Sequence, residues 1–446
     1  MTHNALPMTI TQELIAHLQA KGVLNHERPN AGDLYLAVLL GLAFLFYLTL
    51  RGWTNAFLFI LAAFALHGMT RHMASVKAAL RNRRAVLILC ALVSPLLAIL
   101  FSQALRGELI LRAYDGPLRI FLAGIIFIHL LNRRIHVVKA LEWGFPPAVF
   151  VLALAIMLNP DASAMWSGRY ATYFVDPLTL GQYAILYGFV CLFTIDLTHK
   201  DSAALKSFKY VGFFLALWIA TGTGSRSSWV AIPVLFLLWM TSVRKMSSPL
   251  RILLAFALLS ALILVAYEFS GVFHDRIDQA VADYTQYFTG GNRDTSGGLR
   301  LSLWRSAWYL FLENPLRGYG DANFPPLSGI PAIAPFNTPL LEHYLARTGA
   351  HNEFLQNMLR SGLFGLVSSL LMFIIPFSVF YRGTKSASTA VRSASVIGLC
   401  YIVALFLFGI NTECFNLKYT ASFYGLMIAA LAAQALQSED TCHDKL

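Results

Sequence analysis

Long apolar runs, separated by short polar and basic segments, dominate the pattern of this chain. Twelve of them approach or reach the roughly 17–25 residues that a helix needs to cross a bilayer. We therefore predict twelve transmembrane helices, which would place both chain termini on the same side of the membrane. The runs lie at residues 33–50, 53–70, 85–101, 117–131, 143–158, 178–197, 208–223, 228–243, 250–269, 353–381, 393–411 and 418–436.

Composition agrees with this pattern. The chain has 446 residues, of which 57% are hydrophobic and only 13% are charged, and this is too apolar for a soluble globular protein. The sequence predicts an all-α polytopic membrane protein without a removable signal peptide. The predicted segments are a cytoplasmic N-terminal part (1–32) with a short interfacial helix near residues 11–20, transmembrane helices 1–9 (33–269), a long outer loop with helices (270–352), transmembrane helices 10–12 (353–436) and a cytoplasmic tail (437–446).

Basic residues set the expected orientation. Short cytoplasmic loops collect lysine and arginine, so the loops that contain such clusters are predicted to be inside, together with both termini. The net charge of +11 then follows largely from topology and does not indicate nucleic-acid binding. The clusters are Arg71, Lys77, Arg81, Arg83 and Arg84; Arg133, Arg134 and Lys139; Lys200, Lys206 and Lys209; Arg244, Lys245 and Arg251; and Arg382, Lys385 and Arg392.

The long outer loop is rich in arginine and has no lysine. No lysine occurs between Lys245 and Lys385, although that interval contains nine arginines. A guanidinium group can bind phosphate oxygens through two parallel hydrogen bonds, whereas lysine is a point charge. The pattern favours a phosphorylated ligand on the outer face, and translocation bias with chance is the alternative.

The stretch TGTGSRSSWV, residues 221–230, joins the seventh and eighth predicted spans. Gly222 and Gly224 would let the backbone approach a ligand, and the serines could cap the next helix, whose free N–H groups favour an anion. Arg226 in this turn would add the charge. A tight turn whose arginine reaches the membrane interface is the structural alternative.

A second stretch, SGGLRLSLWRSAWYLFLENPLRGYG, lies within the long loop. It predicts a helix from about Gly298 to Glu313 that ends before Pro315. Arg300, Trp304 and Trp308 share one face of that helix, whereas Arg305 points elsewhere. Arg300 could hold a phosphate while the indoles contact sugar or lipid, or the aromatic residues could simply pack in a core.

The third stretch, GAHNEFLQ, lies at the outer end of the tenth predicted span. His351 could act as a general base, because an ordinary histidine has a pKa near roughly 6.5. Asn352 could orient a substrate, and Glu353 could tune the histidine or cap the helix. A purely structural histidine is the alternative. The sequence HDRID, residues 274–278, has no recognisable metal-ligand spacing and is expected to be solvated surface.

In this order, the three stretches resemble the O-antigen ligase family, within the superfamily that shares the Wzy_C core. The resemblance covers residues of about 208–380 closely and the twelve-span architecture loosely. It implies a C-type glycosyltransferase of the bacterial inner membrane, which transfers a glycan from undecaprenyl pyrophosphate to lipid A–core oligosaccharide at the periplasmic face. It also implies pyrophosphate binding by Arg226 and Arg300, catalysis by His351 and a supporting role for Glu413, where we would expect aspartate.

The chemistry of the residues agrees with such a transfer and leaves other acceptors open. Two guanidinium groups could stabilise the departing pyrophosphate, so that no metal or other cofactor is required. A single displacement would invert the anomeric centre, whereas a retaining route would need a carboxylate nucleophile, for which Glu353 is the candidate. The alternatives are an O-antigen polymerase, a protein O-oligosaccharyltransferase and a transporter. Transport fits less well, because charged groups are few at mid-membrane.

Overall fold

The computed structural model describes residues 31–437, apart from residues 72, 132, 134, 247, 270, 322 and 416. The predicted interfacial helix at residues 11–20, most of the N-terminal segment and nearly all of the C-terminal tail lie outside these residues. The described part is helical and contains no β-strand. In chain order its helices are α1 (Ala31–Leu45), α2 (Trp53–Arg71), α3 (Met73–Arg81), α4 (Arg83–Arg106), α5 (Asp115–Leu131), α6 (Val137–Leu158), α7 (Pro160–Ala164), α8 (Pro177–Phe193), α9 (Ala203–Gly222), α10 (Arg226–Trp229), α11 (Ala231–Ser242), α12 (Pro249–Phe269), α13 (Gly271–Phe288), α14 (Ser296–Glu313), α15 (Pro339–Thr348), α16 (Glu353–Gly383), α17 (Thr389–Gly409) and α18 (Lys418–Ala435).

The helices support a multi-pass membrane protein. Seven helical segments of the described part are long and apolar enough to cross a bilayer, and α8 and the end of α1 are shorter apolar helices. Every one of the twelve predicted spans coincides with a helix in the structure, but the number of crossings and the orientation remain predictions. The seven segments are Trp53–Thr70, Arg83–Arg106, Leu111–Leu131, Val137–Leu158, Ala203–Gly222, Glu353–Gly383 and Thr389–Gly409.

Two helices form the centre of the bundle. Almost every residue of α8 and α18 is buried inside the protein, which is the arrangement expected of helices that are apolar on all sides. Asp176 caps α8, because its carboxylate accepts hydrogen bonds from the backbone N–H groups of Leu178 and Thr179. This cap brings a charged residue to the end of a buried helix, where the polar part of the structure begins.

The long loop is largely helical and has a hydrophobic core of its own. Helices α13, α14 and α15 lie within residues 271–348, and the observed α14 agrees with the predicted helix to within two residues. A separate buried cluster, which includes Leu303, Leu310 and Phe336, packs α14 and α15 against the segment between them. The core fixes α14 as a rigid element next to the membrane helices.

The predicted tenth span is interrupted near its N-terminal end. Ser361 and Gly362 leave the helical conformation within α16, and the segment NPLRGYG (residues 314–320) inserts into the break. Tyr319 N donates to Leu359 O over 2.7 Å, and Leu363 N donates to Pro315 O over 2.7 Å. A Cβ atom on Gly318 would lie only 2.6 Å from Leu359 O, so this close approach requires glycine. The insertion locks the end of α14 against α16.

The eighth predicted span is also interrupted, and the predicted serine cap is wrong. The chain after Gly224 forms the four-residue helix α10 and then α11. Ser225 occupies the N-cap position without a side-chain cap, and Ser228 Oγ donates to Ser225 O over 2.6 Å. A single helical turn has little dipole to offer an anion, so any anion binding here depends on side chains.

Candidate functional site

One cavity of about 1560 Å³ lies between the long loop and the membrane helices. Seven arginines and one lysine are among the described residues that line it, and three of the arginines, Arg276, Arg300 and Arg347, belong to the lysine-free long loop. His351, Arg226, Arg300, Glu353 and Glu413 all line this cavity. The structure therefore brings together residues that are up to 187 positions apart in the chain.

The Arg226 side chain binds two residues of the long loop. Its Nη2 atom lies 3.1 Å from Asp283 Oδ2, and its Nη1 atom donates to Arg276 O over 3.2 Å. The same Asp283 oxygen accepts a hydrogen bond from Gly297 N over 3.1 Å, at the start of α14. Arg226 thus helps to position α14 in addition to adding positive charge to the cavity wall.

Arg300 also lines this cavity. It lies one helical turn into α14, whose start is capped by Thr295, and its side chain makes no hydrogen bond or ion pair with the described residues. Burial lowers the pKa of the Arg300 guanidinium from its ordinary value and the charge of Arg226 lowers it further, against an opposing effect of Tyr284. Such a half-buried charge requires a partner, and an anionic ligand in the cavity would supply one.

Two further arginines, Arg169 and Arg276, complete a surface that we call the arginine wall: Arg169, Arg226, Arg276 and Arg300. Arg169 Nε donates to Thr223 O over 2.7 Å, and burial followed by the charge of Arg276 lowers the Arg169 pKa. Gly224 has a φ of 59° and faces the Arg276 guanidinium, with which an added Cβ would make a contact of 3.0 Å. Sequence reasoning missed both residues, although the lysine-free pattern had included Arg276.

His351 lies in the same cavity in a strained backbone conformation. Its φ is 48°, a left-handed value that costs a non-glycine residue about 1–2 kcal/mol and is typical of functional sites. Burial, followed by the charge of Arg300, lowers the His351 pKa to about 4, against an opposing effect of Asp176. The imidazole is therefore neutral at pH 7, and its ring makes no hydrogen bond with the described residues.

Asn352 and Glu353 hold the neighbouring backbone in place. The Asn352 side chain caps α16 and donates to Ile410 O over 2.9 Å. Glu353 is buried and accepts hydrogen bonds from the backbone N–H groups of Cys414, over 2.5 Å, and Phe415, over 3.2 Å, while Asn357 binds its other oxygen. Both residues thus tie the start of α16 to the segment after α17.

Glu413 belongs to that tethered segment. An added Cβ on Gly349 would lie 2.4 Å from Gln356 Oε1 and 2.5 Å from Glu413 Oε1, so the Glu413 carboxylate lies directly beside the backbone that leads into His351. The Gln356 side chain also accepts a hydrogen bond from Ala350 N over 2.8 Å. Gly349 itself has a φ of 72°.

Gly349→Ala is therefore expected to displace the His351 backbone and to reduce activity at least tenfold. The added methyl group would collide with Gln356 and Glu413 in a conformation that already disfavours side chains. Gly329→Ala is the matched control, because that position has open space and an ordinary φ. Initial rates of glycan transfer at equal amounts of folded protein measure the effect, and equal rates for the two variants would contradict it.

Trp304 and Arg305 do not line the cavity. Trp304 is partly buried and packs against the core of the long loop, as the structural alternative expects, whereas Trp308 is exposed. The Arg305 guanidinium lies 4.5 Å from the centre of the Phe336 ring. Sequence spacing placed these residues correctly on their helix. It did not predict which of them pack in the core of the long loop and which line the cavity.

No group of three or more metal-ligating side chains occurs within the described ranges. In the sequence HDRID, His274 Nε2 lies 3.2 Å from Asp278 Oδ2, and Tyr267 donates to the other Asp278 oxygen over 2.8 Å. These exposed contacts fit the expectation of solvated surface.

The fold and the site together define a multi-pass helical membrane protein with a cationic cavity next to a neutral histidine. Residues 211–370 match the family described as O-Antigen ligase, Wzy_C, which confirms the resemblance seen in the sequence. The proteins of this family are glycosyltransferase-like ligases and polymerases. The chain is also 22% identical over 302 residues to an uncharacterized protein of Haemophilus influenzae, a match that covers 66% of this chain and 72% of that protein.

Proposed function

We propose that this protein is an O-antigen ligase: a glycosyltransferase that moves O-antigen glycan from undecaprenyl pyrophosphate to lipid A–core oligosaccharide. We place the reaction at the periplasmic face of the bacterial inner membrane, with both termini in the cytoplasm. The observation that carries the proposal is the half-buried Arg300, whose side chain makes no hydrogen bond or ion pair with the described residues and lines the same cavity as His351. An anionic donor bound there would place its leaving group beside a base.

His351, Arg300 and Arg226 have different roles in the proposed transfer reaction. The acceptor hydroxyl attacks the anomeric carbon of the donor glycan, and the bond from that carbon to the pyrophosphate oxygen breaks. His351 takes the proton of the attacking hydroxyl, while Arg300 and Arg226 stabilise the negative charge on the departing pyrophosphate. The chain thus needs neither a metal nor another cofactor for this step.

The contacts of Glu353 favour an inverting reaction. Its Oε1 atom accepts a hydrogen bond from Asn357, and its Oε2 atom accepts hydrogen bonds from the backbone N–H groups of Cys414 and Phe415. A carboxylate held in this way is a poor nucleophile, whereas a retaining mechanism would require one. A single displacement assisted by His351 inverts the anomeric configuration.

The acceptor distinguishes the proposed ligase from a polymerase or a protein glycosyltransferase that uses the same donor. Purified protein is supplied with a polyprenyl-pyrophosphate-linked glycan and with lipid A–core, a second donor molecule or a serine-containing peptide. We expect extension of lipid A–core alone. Extension of the second donor would assign a polymerase instead, and extension of the peptide an oligosaccharyltransferase.

The pH dependence should report the electrostatic effect of Arg300 on His351. Because the active His351 is neutral, the rate rises with pH through its pKa and is constant above it. For the free protein, kcat/KM is expected to rise near pH 4 and to be level at neutrality. The bound pyrophosphate offsets the charge of Arg300, so the acid limb of kcat should lie at higher pH than that of kcat/KM. Coincident acid limbs would contradict this coupling.

Transfer is expected to continue after chelation, because arginines supply the positive charge that a metal would otherwise provide. Rates measured before and after treatment with EDTA should agree within error. Loss of activity that added Mg²⁺ or Mn²⁺ restores would instead indicate a metal site and would direct attention to Asp275 and Asp278.

A further inference from the structure

The cavity extends well beyond the arginine wall into an arm lined by small and apolar residues, which we call the apolar arm. Pro95 lies eleven residues before the end of α4 at Arg106, so the arm descends roughly 16 Å along that helix. This depth is about half the hydrocarbon thickness of a bilayer. The residues that define the arm are Pro95 and Ile99 of α4, Ile120 of α5, and Gly365, Ser368 and Met372 of α16.

Small residues keep α4 and α16 together along the arm without leaving polar groups exposed to it. Ser94 Oγ and Ser368 Oγ lie 2.9 Å apart, and Ser102 Oγ donates to Ser361 Oγ over 3.1 Å. Each hydroxyl that approaches the arm thus has a protein partner, and the lining that remains favours hydrocarbon over water.

Basic residues stand where the arm meets the polar part of the cavity. Arg112 and Lys418 both line the cavity and are exposed. Lys418 Nζ lies 2.6 Å from Asp115 Oδ2, and Arg119 Nη2 lies 2.9 Å from Asp115 Oδ1. One carboxylate is thus shared by two cations, while the Arg112 side chain makes no hydrogen bond or ion pair with the described residues. The entrance carries net positive charge.

The entrance and the arginine wall belong to different parts of the structure. Arg112 and Lys418 lie at the outer ends of α5 and α18, which pack against each other, whereas the wall is formed by α10, α13, α14 and the segment before α8. Helix α16 packs against both α4 and α14. Helix α16 is thus the element that connects the apolar arm with the arginine wall, and His351 lies directly before its first residue.

We propose that the apolar arm and its entrance at Arg112 and Lys418 form the acceptor subsite, which binds a phosphorylated glycolipid with its hydrocarbon chains in the arm. This inference rests on the proposed function, because it assigns the arginine wall to the donor pyrophosphate. A transfer reaction requires its two substrates to meet at the base from different directions. Charge complementarity selects an anionic acceptor, and the apolar lining selects a lipid.

The double variant Arg112→Gln, Lys418→Gln in the full-length protein tests the subsite. We expect the KM for lipid A–core to rise about tenfold or more, as for the loss of charge-assisted contacts, with the KM for the donor unchanged. The matched control is Arg293→Gln, Lys385→Gln, which removes two positive charges outside the cavity and should change neither constant. An acceptor stripped of its phosphates should bind equally to wild type and to the double variant.

Two measurements separate failure of the subsite from failure of the proposed function. Binding of labelled lipid A–core is measured directly, without turnover. If the wild type transfers no glycan but binds this lipid more tightly than the double variant does, the result supports the acceptor subsite and contradicts the assignment as a ligase. A raised KM for the donor in the double variant would indicate that the apolar arm binds the polyprenyl chain of the donor instead. Unchanged KM values together with unchanged lipid binding would show that Arg112 and Lys418 do not bind the acceptor. Either result overturns the proposal.

Discussion

Arg300→Lys should lower the rate of glycan transfer by about 10²-fold, comparable to the loss of one donor from a preorganised anion site. Lysine keeps the charge but lacks the planar fork that can bind two phosphate oxygens at once. Because the Arg300 side chain makes no hydrogen bond or ion pair with the described residues, the substitution removes no polar side-chain contact of the described fold. The defect can therefore be attributed to the ligand.

Arg226→Lys should also impair transfer, but for two reasons. Its two guanidinium nitrogens bind Arg276 O and Asp283 Oδ2 separately, and an ammonium group cannot reproduce both contacts in the same geometry. We therefore expect this variant to lose thermal stability as well as activity. A thermal unfolding measurement separates it from Arg300→Lys, for which stability should be retained.

Arg293→Lys and Arg317→Lys are the controls for the general positive charge of this face. Neither residue lines the cavity, and each makes a contact outside it, to Pro335 O and Asn314 Oδ1 respectively. Both variants should transfer glycan at nearly the wild-type rate. Equal mild losses at all four positions, measured across donor concentrations at matched expression, would rule out a specific phosphate clamp.

His351→Ala should reduce kcat by about 10²–10⁴-fold, the range for loss of a general base, while the affinity for the donor is retained. Alanine keeps a side chain in the same left-handed conformation, so the backbone strain changes little. His343→Ala on α15 is the matched control, because His343 is exposed and does not line the cavity. Near-wild-type turnover in His351→Ala would exclude the general-base role.

The elements predicted best are those governed by local pattern. The apolar runs determined where helices form, and the helix at residues 296–313, with Arg300 near its start, followed from local spacing and from the proline after it. The predicted tenth span is interrupted at Ser361 and Gly362, where a neighbouring segment inserts. A continuous apolar run does not reveal that another part of the chain will insert into the helix.

In the candidate site, too, local sequence pattern predicted some residues and missed those whose contacts depend on the tertiary structure. The three predicted residues His351, Arg226 and Arg300 line one cavity, because each stood out locally by its residue type at the end of an apolar run or near a helix start. Arg169 carried no such signal, since its relation to Arg276 arises only after α8 and α13 are placed. The same holds for Glu353, whose hydrogen bonds reach a segment about 60 residues further along.

The sequence by itself determined the membrane class, the helices and the residues of the three polar stretches, because hydrophobicity and local conformational preference act over a few turns of chain. Only the tertiary structure decided which charges are paired and which remain available. Asp283 binds Arg226, Glu353 binds backbone, and Arg300 is left facing the cavity with His351. Pairing depends on distances of a few ångströms between segments far apart in the chain, and these distances are set by packing across the whole bundle.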